Sequence, residues 1–241
     1  MLLSFTSLLC RSDADHFRYV KAAQGQLKSF IDKYGDDGKE EINNVCTAHT
    51  ITLDIDTENK VRYNGCVVSP EGQLVILFGE DYLAVNIDSA LAEPGLVQAL
   101  NDAPTASSSM SYVARESIQS GWEREADSIK KIFAELLQTE ITLEPNFQSL
   151  HDTLKASSDG IDQWETNIGS FARFYFEALA SGLKSQNFDS DEMMREAISE
   201  AMEKGVIALR IVDKSQMKAN YNESVFEDGV LYMQVSKVLW R

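Results

Sequence analysis

Cysteine, histidine, proline and glycine are all scarce in this chain of 241 residues, numbering three, three, four and 13. So few prolines and glycines exclude a collagenous, linker-like or low-complexity protein. No two glycines lie closer than Gly35 and Gly38, so there is neither a dinucleotide-binding fingerprint nor a phosphate-binding P-loop. His-Glu-x-x-His, Gly-x-Ser-x-Gly and Cys-x-x-Cys are absent as well, which removes the usual anchors of zincins, α/β-hydrolases and dithiol redox proteins. Long apolar runs are missing too. The longest spans without a charged side chain, Ile42–Leu53 and Ala103–Ala114, are twelve residues each, and a membrane-crossing helix needs about 20.

Positive charge is the other deficit. Lys and Arg number 22 against 38 Asp and Glu, a formal charge of −16. That balance disfavours direct binding to nucleic acid or to anionic membrane surfaces and favours a basic protein partner. The charge is spread evenly, 8 basic against 15 acidic residues in 1–100 and 14 against 23 in 101–241. A nucleic-acid mimic, which must gather its acids on one surface, is therefore not indicated. The three cysteines, Cys10, Cys46 and Cys66, have apolar neighbours and cannot all pair within one chain, so reduced, buried thiols in a cytoplasmic protein are expected. Met1–Cys10 imitates the apolar core of a signal peptide. It lacks a basic start and a small residue at the cleavage position, so a packed N-terminal helix is the expectation.

Hydrophobic periodicity then gives the elements. A helix begins after Ser12 or Asp13, carries Phe17, Val20, Leu27, Phe30, Ile31 and Tyr34, and ends at Gly35; a short one follows over Lys39–Thr47. Period-two patterning predicts strands at His49–Asp56, Val61–Ser69, Gln73–Gly79 and Tyr82–Ile87. Such close spacing predicts an antiparallel meander. The remainder reads as mostly helical. Candidate helices carry Ile118 to Leu137, Phe147 to Leu154, Ile161 to Gly182, and Met194 to Met202, and strands at Val206–Asp213 and Val230–Trp240 finish the chain. The expected fold is α+β: a four-stranded antiparallel sheet, extended by the two C-terminal strands, packed against a helical layer. A single domain over residues 1–241 is expected, with a possible sub-boundary at 103–111 in the loop-like stretch Ala103–Ser111. Trp122 and Trp164 open similar patterns 42 residues apart, which convergence of amphipathic helices explains better than duplication.

Candidate chemistry is thin. Cys46 and His49 are spaced as a nucleophile and its base, and Cys66 would make a third soft ligand, but a structural zinc site needs four. Glu80 and Asp81 follow the most apolar strand, where a rigid core positions acids. Asp54, Asp56 and Glu58 alternate along a strand and fit a solvated sheet face better than a cation loop. Phe171, Phe174 and Tyr175 crowd one helix and suit either a ligand pocket or a packed core. No metal or cofactor is expected. The leading functional expectation is a soluble, non-catalytic protein-interaction module: an acidic chaperone, adaptor or inhibitor of a basic partner. A small-molecule binder using Phe171, Phe174 and Tyr175 is the alternative. A hydrolase or transferase using Cys46 with His49, or Glu80 and Asp81, is the other.

Overall fold

The computed structural model describes residues 4–6, 13–106, 108–157, 163–188 and 190–236. Contacts divide the chain into two compact units, Met1–Tyr112 and Val113–Arg241, the division falling directly after Ala103–Ser111. No helix among the described residues is long and apolar enough to cross a membrane.

The first unit runs β1 (Ser4–Thr6), α1 (Asp13–Val45), β2 (Thr50–Ile55), β3 (Asn64–Val68), β4 (Leu74–Phe78) and α2 (Glu93–Asn101). Helix α1 is two helical segments meeting at Gly35, whose φ of 65° is a conformation that glycine adopts without steric cost. Tyr19, Ala23, Leu27 and Phe30 form its buried stripe, rotated from the expected one so that Phe17 is exposed. These side chains pack with Ile51, Leu53, Cys66, Val68, Leu74, Ile76 and Phe78 of the sheet and with Leu96, Ala99 and Leu100 of α2.

The expected antiparallel meander is not what forms. The strand order is β1-β2-β4-β3, with β1 and β4 both parallel to β2; only the β3–β4 pair is antiparallel. Strand β4 is apolar on both faces and takes a central place. The Asp56–Tyr63 connection then carries the chain past β4 to the edge. There the Asp56 carboxylate accepts the Val61 and Glu58 N–H groups at 2.7 and 3.2 Å. Desolvation pushes its pKa up, but those backbone donors prevail and hold it below the usual carboxylate value.

Tyr82–Ile87, expected as the fourth strand, is a series of turns with Ala84 and Asn86 in the left-handed region. Its backbone groups close local turns, accept the Asn64 amide of β3 at the Val85 carbonyl and reach α1, rather than forming a ladder. The Ala84 N–H donates to the Tyr19 hydroxyl at 3.0 Å, and the Gln26 amide donates to the Ile87 carbonyl and accepts the Leu91 N–H. The strand that completes the sheet is instead β1, within the segment expected to be helical. The rest of Met1–Cys10, Cys10 included, lies outside the described residues.

The second unit runs α3 (Tyr112–Ile118), α4 (Arg124–Leu137), β5 (Thr142–Glu144), α5 (Phe147–Lys155), α6 (Trp164–Ser185), α7 (Glu192–Ala201), β6 (Val206–Val212), β7 (Asn222–Glu227) and β8 (Val230–Ser236), α3 opening on the last residue of the first unit. The two C-terminal strands do not extend the first sheet. They build a second one, ordered β5-β6-β8-β7, in which β5 and β8 run parallel to β6 and β7 runs antiparallel to β8. Both sheets therefore follow one scheme, with a helical crossover between their first two strands and a hairpin as their last two. The repeat in this chain is topological and lies between the units. It is not the 42-residue echo: Trp122 is buried against Phe176, with ring centroids 4.9 Å apart, whereas the half-buried Trp164 stands edge-on to His151.

A π-helical turn, Gln119–Glu123, joins α3 to α4 and brings the chain against α6 at two glycines. The Gly169 N–H donates to the Ser117 hydroxyl at 3.1 Å. Around this crossing, Ile129, Phe133, Leu150, Leu154, Ile168 and Phe176 fill the core beneath Ile207, Leu209 and Val235.

Candidate interaction surface

The residues with candidate chemistry do not converge. Cys46 closes α1 with its side chain fully buried, whereas His49, three residues on with a φ of 51°, is exposed. They meet only through the backbone, where the His49 N–H donates to the Cys46 carbonyl at 2.9 Å. Burial, and secondarily the charge of Glu41, pushes the Cys46 thiol up to about 12. Cys66 on β3 is also pushed up to about 12, by burial and then by Cys46 itself. Both thiols are therefore protonated near neutrality and form no thiolate nucleophile. Cys46 and Cys66 are accordingly expected to resist alkylation in the folded protein and to react once it is unfolded in denaturant. Peptide mapping after a thiol-alkylating pulse checks this, and rapid native labelling of Cys46 would contradict it.

Glu80 and Asp81 sit exposed in the turn after β4, apart from Cys46. Among the described residues, no group of three or more His, Cys, Asp or Glu side chains is placed to hold a metal ion. On α6, Phe171 and Tyr175 are half-buried, and Phe174 is 52% exposed with the Arg173 guanidinium 4.8 Å above its ring. The three share one flank of the helix, beside the buried face formed by Ile168, Ala172, Phe176 and Ala180. Cavities of about 670 and 870 Å³ in the first unit and about 430 Å³ in the second are not lined by these aromatics; the 870 Å³ one has Asp54, Asp56, Glu58 and Cys66 in its wall.

The feature that sets one element apart is on α7. Its sequence, EMMREAISEA, is amphipathic: Met193, Met194, Ala197, Ile198 and Ala201 share one arc, and Glu192, Glu196 and Glu200 another. Both ends are well defined. The Asp191 carboxylate accepts the Met194 N–H at 3.1 Å as an N-cap, and Gly205, at a φ of 61°, turns the chain into β6. Yet α7 buries none of its ten residues. Ile198 and Ala201 are partly covered, whereas Met194 is exposed and Met193 is left 79% exposed.

Charge makes this face more specific. Glu192, Glu196 and Glu200 are stacked at i, i+4 spacing, where like charges destabilise a helix by about 0.2–0.5 kcal/mol per pair. Met193 lies next to that row on the helix surface. With Asp191 and Glu203 against Arg195 and Lys204, the segment carries five acidic and two basic groups. Arg195 turns inward, its guanidinium donating to the Phe188 carbonyl at 3.3 Å. The exposed product is a polarizable methionine rimmed by carboxylates.

The sequence pattern could not single this helix out. Met194, Ile198, Ala201 and Met202 read as an ordinary core stripe, because periodicity shows that a face is apolar but not what covers it. No family model, curated protein or solved structure matches the chain.

Proposed function

We propose that this protein is a non-catalytic interaction module whose second unit binds a basic amphipathic segment of a partner protein along α7. The observation that carries the reading is a well-capped amphipathic helix that buries none of its residues and leaves Met193 79% exposed. An apolar helix face that the described residues cover only in part is a ready docking surface for the apolar face of another helix. Methionine suits that task because its unbranched, polarizable side chain adapts to different shapes. The glutamate row selects the charge of the partner. Lysines or arginines flanking the partner's apolar face would relieve the repulsion that the row imposes on α7, and the overall charge of −16 would speed their approach. Two buried free thiols fit a reducing, cytoplasmic setting.

A synthetic helical peptide of leucine and lysine, titrated calorimetrically, is the test. Saturable binding that weakens with added salt is expected, and Met193→Lys should lower the affinity at least tenfold, about 1.4 kcal/mol. Met193 is too exposed for that substitution to disturb folding. Equal affinity for the variant, or no binding by the native chain, would overturn the reading.

A further inference from the structure

Strand β7 ends the second sheet, and among the described residues nothing pairs with its outer edge. The ladder fixes which groups face outward. Glu227 and Val230 close a two-residue hairpin at Asp228-Gly229, with φ of 49° and 74°, and the Ser236 N–H donates to the Tyr221 carbonyl at the other end. Residues 221, 223, 225 and 227 therefore spend their backbone groups on β8. Asn222, Ser224 and Phe226 turn theirs outward, and all three residues are exposed. The edge strand has no proline, no lysine and no bulge, and its two charged residues, Glu223 and Glu227, are engaged within the unit. It is also flanked by exposed aromatics, Tyr221 at 64% and Phe226 at 49%.

The charges on this strand are already matched within the unit. Glu227 pairs with Arg210 on β6 at 2.6 Å, and the Arg210 guanidinium lies 4.0 Å over the Tyr232 ring and donates to Gln234. Glu223 accepts the Gln234 amide at 2.6 Å and the backbone N–H groups of Lys218 and Ala219. A basic strand would find these carboxylates occupied. A second copy of the same strand meets no unpaired charge.

We propose that β7 is a self-association edge, at which two copies of this chain pair antiparallel about a two-fold axis through Ser224. Overlap and charge together select that register, since pairing centred on Asn222 or Phe226 would run off the strand and leave outward groups unpaired. Pairing centred on Glu223 would set it against its own copy, and pairing centred on Val225 would set Glu223 against Glu227 of the second chain. Like charges directly opposite are destabilising in a sheet. Centred on Ser224, the opposed pairs are Phe226 with Asn222, Val225 with Glu223, and Glu227 with Tyr221. No acid faces an acid, and the outward N–H and C=O groups of all three exposed residues are satisfied. The two four-stranded sheets become one continuous sheet. This edge and the α7 face are separate surfaces, so neither reading depends on the other.

Light scattering of the full chain over a concentration series reaching millimolar, in about 0.15 M salt to screen the net charge, is the experiment. The mass should rise from 26.9 kDa toward twice that value. Ser224→Lys and Ser224→Glu each put like charges face to face on the axis while keeping the backbone N–H, and each should weaken association at least about tenfold. A one-to-one mixture of the two variants should restore it, because Lys then faces Glu; a disrupted fold would give no such rescue. A native chain that stays at 26.9 kDa throughout, a Ser224→Lys variant that still dimerises, or a mixture without rescue would each overturn the proposal.

Discussion

Gly169→Val is expected to destabilise the second unit by at least about 3 kcal/mol, at the upper end of overpacking effects because the obstruction is backbone. A Cβ at this position would lie 2.0 Å from the Ser117 carbonyl oxygen, 2.6 Å from its carbon and 2.9 Å from the Ile118 Cα. No rotamer change relieves a collision with main chain. Helix α6 would have to lift away from the α3 end, breaking the bond between the Gly169 N–H and Ser117 and loosening the neighbouring contact of Gly121 with Ser170. Gly182 on the same helix is the control, since a Cβ there meets nothing within 4 Å. Gly182→Ala should stabilise by about 0.4–1 kcal/mol through lost freedom of the unfolded chain. Urea unfolding of the two variants measures the contrast, and similar midpoints for both would contradict the crossing.

Phe176→Ala is expected to cost about 3–5 kcal/mol, the usual range for deleting a buried aromatic side chain. Phe176 is wholly buried against Trp122, which itself stands edge-on to Phe147 with centroids 5.9 Å apart. Removing the ring leaves Trp122 facing a cavity that the surrounding helices can close only in part. Two residues earlier, Phe174→Ala should change stability by less than about 1 kcal/mol, because that ring is half in solvent and gives up mainly its contact with Arg173. The same melts separate the two ways of reading the aromatic helix. A large cost confined to Phe176 assigns packing to one ring and leaves Phe174 as surface, whereas equal costs would deny the difference in burial.

Much of the local structure was legible in the residues. The break at Gly35, the strands around Ile51, Ile76 and Ile207 and the Asp191 cap all follow from turn chemistry and periodicity. Strand pairing was not. Parallel partners such as β2 and β4 are brought together by a connection that passes a neighbouring strand, and the period-two pattern of a strand is the same whichever way its neighbour runs. Strands β1 and β5 have three residues each, too few to show any period. Strand β7 carries a signal of its own in the sequence. Asp228-Gly229 is a type I′ hairpin dipeptide, and it demands a strand on both sides. For the candidate surface, the amphipathic pattern of α7 was visible, but its exposure was not. A helix that packs inside its own chain and one that awaits a partner are written with the same spacing.

Docking of a basic amphipathic helix on α7 can be followed residue by residue in the backbone amide resonances while the leucine–lysine peptide is added. Saturable shifts are expected in residues 191–202, with Met193 among the most affected, and they should be lost in Met193→Lys. Shifts scattered over both units without saturation, or centred on the α6 aromatics while α7 stays unchanged, would contradict it.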